Sequence, residues 1–303
     1  MRQKSWWTGG GMENRETFRV RSFHPLFVVL LALSLIAAQG FCTPNCAFAD
    51  PITHVASAWN CSDSTQLTID KPAGTLDGDL LIANFFNDSS EDVGPESDGW
   101  LVLKSTGMGS GKTGTVLWKW AGASEPTDYT FVMYGDVATY AFIGAISAFR
   151  CVDPSDPFDA VGDQSVENSG GPIAPSITTV ADNTMVVFLA QVTENKRLTD
   201  WNTTSPGSLV EIYDYGCAFD EDGSVGAAIA IKQPTGATGD GTADIEDEDG
   251  GGNRSAGVLI ALKPGCLSPS AIPTLSEWGM IIFALVMAGV AIVILRKRRN
   301  VTA

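Results

Sequence analysis

The sequence predicts an all-β exported domain, an antiparallel β-sandwich or jelly roll, carried between two apolar targeting segments. Three observations lead there. Short β-branched and aromatic runs recur between clusters of Gly, Pro, Ser and Asp from 50 to 265. No stretch in that interval keeps a helical period with caps. An apolar run lies near each end of the 303-residue chain, with basic residues beside it.

Taken in order, the first element is an address label. Arg15, Arg19 and Arg21 precede an apolar stretch from Leu26 to Ala38, and Ala47-Phe48-Ala49 closes the segment. A basic region, a short apolar core and small residues at A-x-A spacing predict a secretory signal peptide over 1–49, cut after Ala49. Met12 is a second candidate start, because residues 1–11 add little besides charge. Cys42 follows Phe41, where a lipoprotein would carry a small residue.

Residues 50–265 then form the exported domain. They hold 32 acidic and 10 basic residues, a net charge of about −22 against −16 for the whole chain. So acidic a surface repels nucleic acid and anionic membranes, and it favours cations or simple solubility outside the cell. After signal removal Cys61, Cys151, Cys217 and Cys266 remain, an even number in an oxidising compartment. Two disulfides are expected, with three connectivities open.

Strands are predicted at 65–69, 80–86, 100–103, 115–120, 129–134, 140–149, 173–180, 185–192, 209–215, 225–231 and 258–262, and His54 lies in a first strand region. The run 138–148 is rich in small residues, but its length and flanking turns fit a strand buried on both faces. The acidic, glycine-rich stretch 240–253 reads as a hairpin loop, and no internal repeat is legible. Pro72-Ala73-Gly74 with Asp77-Gly78-Asp79, the Trp100 strand, Ala121 to Pro126 and Ala174-Pro175-Ser176 resemble an extracellular β-sandwich module of bacteria and phages. That resemblance transfers no activity.

Candidate chemistry is sparse. Thr106 to Thr113 imitates a phosphate-binding loop, but Thr106 replaces the first glycine and a strand-like run follows instead of a helix. The reading is a glycine-rich hairpin without a nucleotide. His54 is the only histidine of the exported domain and has no nucleophile motif around it. Carboxylates are too numerous for any pair to single out glycoside chemistry. The domain is therefore expected to be non-enzymatic and to need no cofactor. Asp220, Glu221 and Asp222 offer hard oxygens to calcium, as do Asp153, Asp156, Asp159 and the 244–249 run, without the spacing of an EF-hand. Trp118 and Trp120 share one strand face, which either fills the core or stacks on the sugar rings of an extracellular polysaccharide.

A tether at 266–271 leads to the last element. Ile272, Pro273, Thr274, Leu275, Ser276, Glu277, Trp278 and Gly279 precede an apolar run of 16 residues, Met280 to Leu295. Arg296, Lys297, Arg298 and Arg299 follow within the tail 296–303. With Trp278 and Gly279 the helix would reach about 27 Å, which suits a thin bilayer, and the basic tail orients it. Pro273 biases Ile272 toward an extended conformation. The segment 272–303 resembles the IPTL-CTERM sorting signal, which is similar to the PEP-CTERM tails of Gram-negative bacteria. The resemblance implies an inner-membrane-anchored intermediate and an exosortase-like processing enzyme. The protein would then reach the cell surface or extracellular matrix, in a structural or adhesive role. The alternative is a carbohydrate-binding module or a glycan-active enzyme on the same sandwich.

Overall fold

The computed structural model describes residues 51–96, 99–134, 141–218, 222–246, 253–266 and 275–299. The signal-peptide reading of 1–49, most of the tether, and Ile272, Pro273 and Thr274 lie outside the described residues, as do Asp220 and Glu221. The first strands are β1 (Thr53–Ser62), β2 (Gln66–Asp70), β3 (Leu80–Asn87) and β4 (Val93–Pro95). Next come β5 (Leu101–Gly109), β6 (Lys112–Trp120), β7 (Asp128–Met133) and β8 (Phe142–Arg150). Then follow β9 (Phe158–Val161), β10 (Ser165–Glu167), β11 (Ile173–Ala174), β12 (Thr178–Thr179) and β13 (Thr184–Val192). The series closes with β14 (Leu198–Asn202), β15 (Val210–Ala218), β16 (Asp222–Lys232), β17 (Gly236–Ala237), β18 (Gly241–Ile245) and β19 (Ser255–Leu262). A carboxy-terminal helix, α1, runs Leu275–Arg299.

Every strand pairing is antiparallel, as an all-β sandwich requires. The strand order corrects one expectation, because the domain is built from a repeated unit. The first half forms a sheet β1-β8-β3-β6-β5, covered by β2-β7-β4. The second half forms β10-β19-β13-β16-β15, with β9 also on β19, covered by β11-β18-β14. Each position in one half has a counterpart in the other, in the same chain order. Among the described strands, β9 and the β12–β17 pair stand outside the scheme. The correspondence is absent from the letters because the fold conserves alternation rather than identity: Leu80-Leu81-Ile82 occupies the place of Met185-Val186-Val187.

Three apolar layers result. The two large sheets face each other around Leu80, Ile82, Phe86 and Ile143 from one half and Met185, Val187, Leu189 and Val258 from the other. Leu81, Ala83 and Phe85 point the opposite way, onto Leu67, Ile69 and Phe131 of the first cover. Val186, Phe188 and Ala190 do the same onto Leu198, Trp201 and Ala243. The central strands β3, β13 and β19 are therefore buried along their whole length, and β8 to its last residue. Hence their continuous apolar runs, including the 142–148 part of the run rich in small residues. The cover strands touch a core on one side only, and they alternate buried and exposed.

The acidic stretch from 240 is in part a strand. Within β18, Gly241, Ala243 and Ile245 are buried while Thr242 and Asp244 face solvent. Five residues of alternation outweigh the loop-like composition. The glycine-rich segment at 106–113 is a hairpin. Gly109 pairs with Lys112, and Ser110 (φ 54°) and Gly111 (φ 78°) form its two-residue turn.

The Pro72 to Asp79 loop has a specific anchor. Asp79 is 2 % exposed and receives Arg150 through Nε (2.8 Å) and Nη2 (2.7 Å), while Arg150 also donates to the Gly74 carbonyl. Arg150→Ala would leave a buried carboxylate without its partner. We expect a loss of about 2–3 kcal/mol in chemical denaturation, since the half-exposed arginine is partly screened.

Helix α1 begins inside the sorting motif, at Leu275, ahead of Trp278, where the expected extension of the apolar run would start it. Side chains from Ile281 to Ile294 are largely exposed on every side of the helix. Among the described residues, no helix is long and apolar enough to cross a membrane. Sixteen apolar residues rise only about 24 Å against a hydrocarbon core of about 30 Å.

Candidate functional site

Where the two halves meet, a polar line crosses the apolar layer. Asn84 on β3 donates to the Ala190 carbonyl at 3.1 Å and accepts from Gln191 Nε2. Gln191 in turn accepts from Gln164 Nε2 at 2.9 Å. Asn84 and Gln191 are fully buried, so each bond satisfies a group that would otherwise be costly to desolvate. Arg254 reaches from the second half to the Met108 carbonyl, and Lys104 pairs with Asp163 at 3.4 Å.

Both disulfides bolt the same seam. Cys61 on β1 joins Cys217 on β15, and Cys151 after β8 joins Cys266 after β19. The four predicted cysteines thus form one of the three open pairings, and each bond links one half to the other. Beside the first bond Trp59 stacks on Tyr215 with centroids 4.6 Å apart, and Tyr215 lies 5.5 Å from Tyr213.

Trp118 and Trp120 do share a face, but that face points into the seam. Both are half-buried against the central core, and Trp118 meets Phe158 edge-on at 5.2 Å. They do not form an exposed stripe. Asp222 starts β16 and pairs with Ala218. Asp153 accepts from Ser155, Asp156 and Asp153 face Lys263 at 3.0 and 3.7 Å, and Asp159 accepts from the Val180 and Ala181 amides. Among the described residues no group of three or more His, Cys, Asp or Glu is arranged to hold a metal.

His54 Nε2 lies 2.9 Å from Ser57 Oγ, which lies 2.8 Å from Ser147 Oγ. Burial lowers the histidine pKa, and its ring packs on Phe149 at 5.7 Å. Among the described residues no carboxylate hydrogen-bonds it.

An open cleft lies elsewhere, at the corner where the chain passes from β14 to β15. A cleft of about 480 Å³ is lined by Asp200, Trp201, Asn202, Ser208, Leu209 and Glu211. Its walls are fixed by the Leu209 amide on the Trp201 carbonyl (2.9 Å) and the Thr203 amide on the Gly207 carbonyl (3.0 Å). Both strands slip register here, between Thr199 and Asn202 and between Glu211 and Tyr213. Such bulges re-aim side chains. Asp200, at φ 52°, and Glu211 are turned to solvent, while Trp201 drops into the core against Phe188. Its indole N–H donates to Glu211 Oε2 at 3.2 Å. Sequence reasoning missed this cleft, because strand alternation gives no sign of the two bulges.

Next to the cleft Asp214 is pushed up to about 6 by burial, with Glu211 adding repulsion against a weak pull from Arg197. Its folded pKa exceeds the unfolded value, so the ionised form costs stability. Stability should fall as pH rises from about 4 to 6. Asp214→Asn keeps an acceptor for the Leu198 amide. We expect it to flatten that slope in urea titrations and to add about 1–2 kcal/mol at pH 7 after allowance for screening.

Comparison with known proteins bears on the carboxy terminus alone. No curated protein and no solved structure matches the chain. The family described as IPTL-CTERM motif matches residues 270–299, which spans Ile272 to Gly279, the apolar run and the four basic residues. The chain therefore carries an IPTL-CTERM motif at its carboxy terminus, the sorting signal of an exported surface protein.

Proposed function

We propose that this is a cell-envelope protein, secreted through its amino-terminal segment and sorted to the surface by an exosortase-like enzyme. Its acidic double sandwich then serves there in a structural or adhesive role, without catalysis and without a cofactor. The observation that carries the reading is the matched motif over 270–299, with its apolar run and basic residues in fixed order. Helix α1 would engage the bilayer during sorting. Apolar side chains exposed all round it support this, as does the basic cluster that begins at Arg296. A run of about 24 Å calls for local thinning or for flanking residues at the interfaces. Two cross-linked cysteine pairs support an oxidising destination.

Mass spectrometry of the surface-released protein from its own host tests this. The expected product starts after Ala49 and lacks Arg296 to Arg299, and deleting 272–279 should retain the full chain in the membrane fraction. A released product that still carries Arg296 to Arg299 would overturn processing.

A further inference from the structure

We propose that the cleft between β14 and β15 binds a saccharide unit bearing a protonated amine, with Glu211 and Asp200 as its charge partners. Four features of the cleft support the assignment, and none depends on the sorting signal. First, it is preformed. Besides the two bonds across its base, the Ser205 amide donates to the Thr238 carbonyl at 2.8 Å and Lys232 Nζ to Ser205 Oγ at 2.9 Å. A ligand need not order the loop, which removes a main cost of binding.

Second, its charge is one-sided. Asp200 and Glu211 stand at the rim with no cationic side chain in the lining, in a domain of net charge about −22. Phosphate, sulfate and uronate groups are repelled, and an ammonium is attracted. Glu211 is also pre-oriented, since Trp201 holds one of its oxygens and leaves the other for a ligand.

Third, the polar groups are spread around the cleft. The Asn202 amide and the Ser208 hydroxyl complement the two carboxylates, so several donors and acceptors converge on one volume. That distribution suits a ring carrying several hydroxyls. A lysine side chain would instead need an apolar channel for its stem. The apolar lining consists of Trp201 and Leu209, only 5 % and 8 % exposed. A volume near 480 Å³ lies within the range of small-ligand sites.

Fourth, the two halves of the repeat differ at this corner. In the first half, the entry to β5 is marked by Trp100, buried at 7 % exposure, edge-on to Tyr129 and under Lys119. Lys119 is there neutralised by Glu125 at 2.9 Å. In the second half the residue before β15 is the smaller Leu209, buried at 8 % exposure, and among the described residues no cation pairs with Asp200 or Glu211.

The full-length chain, purified in detergent with its disulfides intact, would be titrated with a fully deacetylated glucosamine tetramer. Its N-acetylated counterpart and tetralysine serve as comparators, read by calorimetry and by tryptophan fluorescence. The free-amine tetramer should bind at least tenfold more tightly than either comparator. Glu211→Gln retains an oxygen for the Trp201 indole, and Asp200→Asn alters an exposed side chain. Each should weaken binding at least fivefold with an unchanged circular dichroism spectrum. Asp63→Asn, at an exposed site on the β1–β2 turn, should leave affinity within twofold. No binding of the amine tetramer, or equal binding of the acetylated tetramer or of tetralysine, would overturn the assignment. So would an unchanged Glu211→Gln affinity, or an Asp63→Asn effect as large as that at Glu211.

Discussion

Removing both disulfides should lower the stability of the domain more than any single core substitution. Cys61–Cys217 and Cys151–Cys266 span 156 and 115 residues of chain, and each joins one half of the repeat to the other. Chain-entropy arguments assign a loop of that length about 5 kcal/mol, and measured cases fall at about 2–5 kcal/mol. The loops overlap, so the two effects should be less than additive. Cys61→Ala with Cys217→Ala, the equivalent change at Cys151 and Cys266, and the fourfold variant would be compared in guanidinium titrations. A midpoint unmoved by reductant in the native protein would contradict this account.

The second large effect should come from Phe85. Its ring is fully buried on the first cover sheet, 4.5 Å from Phe131 and 5.8 Å from Phe142. It fits because position 144 has no side chain. A Cβ built on Gly144 would lie 2.3 Å from the ring. Phe85→Ala should cost about 3–5 kcal/mol through lost burial and an unfilled cavity. Gly144→Ala should cost about 1–3 kcal/mol by overpacking. With the ring gone, the nearest remaining neighbour of the added methyl is the flexible end of Ile69 at 3.1 Å, so the double variant should be more stable than the sum of the two losses allows. Strict additivity in thermal or chemical unfolding would show that the contact does not govern this layer.

These results mark what the sequence makes readable. Strands buried on both faces, such as Met185 to Val192, leave runs that composition alone identifies. So do the sorting motif and the cysteine number, since each is local or countable. Pairing of Cys61 with Cys217 depends on β1 and β15 lying on facing sheets, which no local pattern encodes. The same holds for the repeat, whose two copies share burial order but few residues. The β14–β15 cleft depends on two slips of register, and a slip moves side chains to the other face without altering residue type. β18 was concealed by its acidic exposed positions, although Ala243 and Ile245 keep the inward period.

The cross-half bonding has a consequence for life outside the cell. Pro154, Ser155 and Asp156, between the two halves, are exposed to any secreted protease. A cut there would leave one fragment with Cys61 and Cys151 and the other with Cys217 and Cys266. Two covalent rivets would still hold the pieces together, so the severed molecule should migrate as one species until a reductant is added.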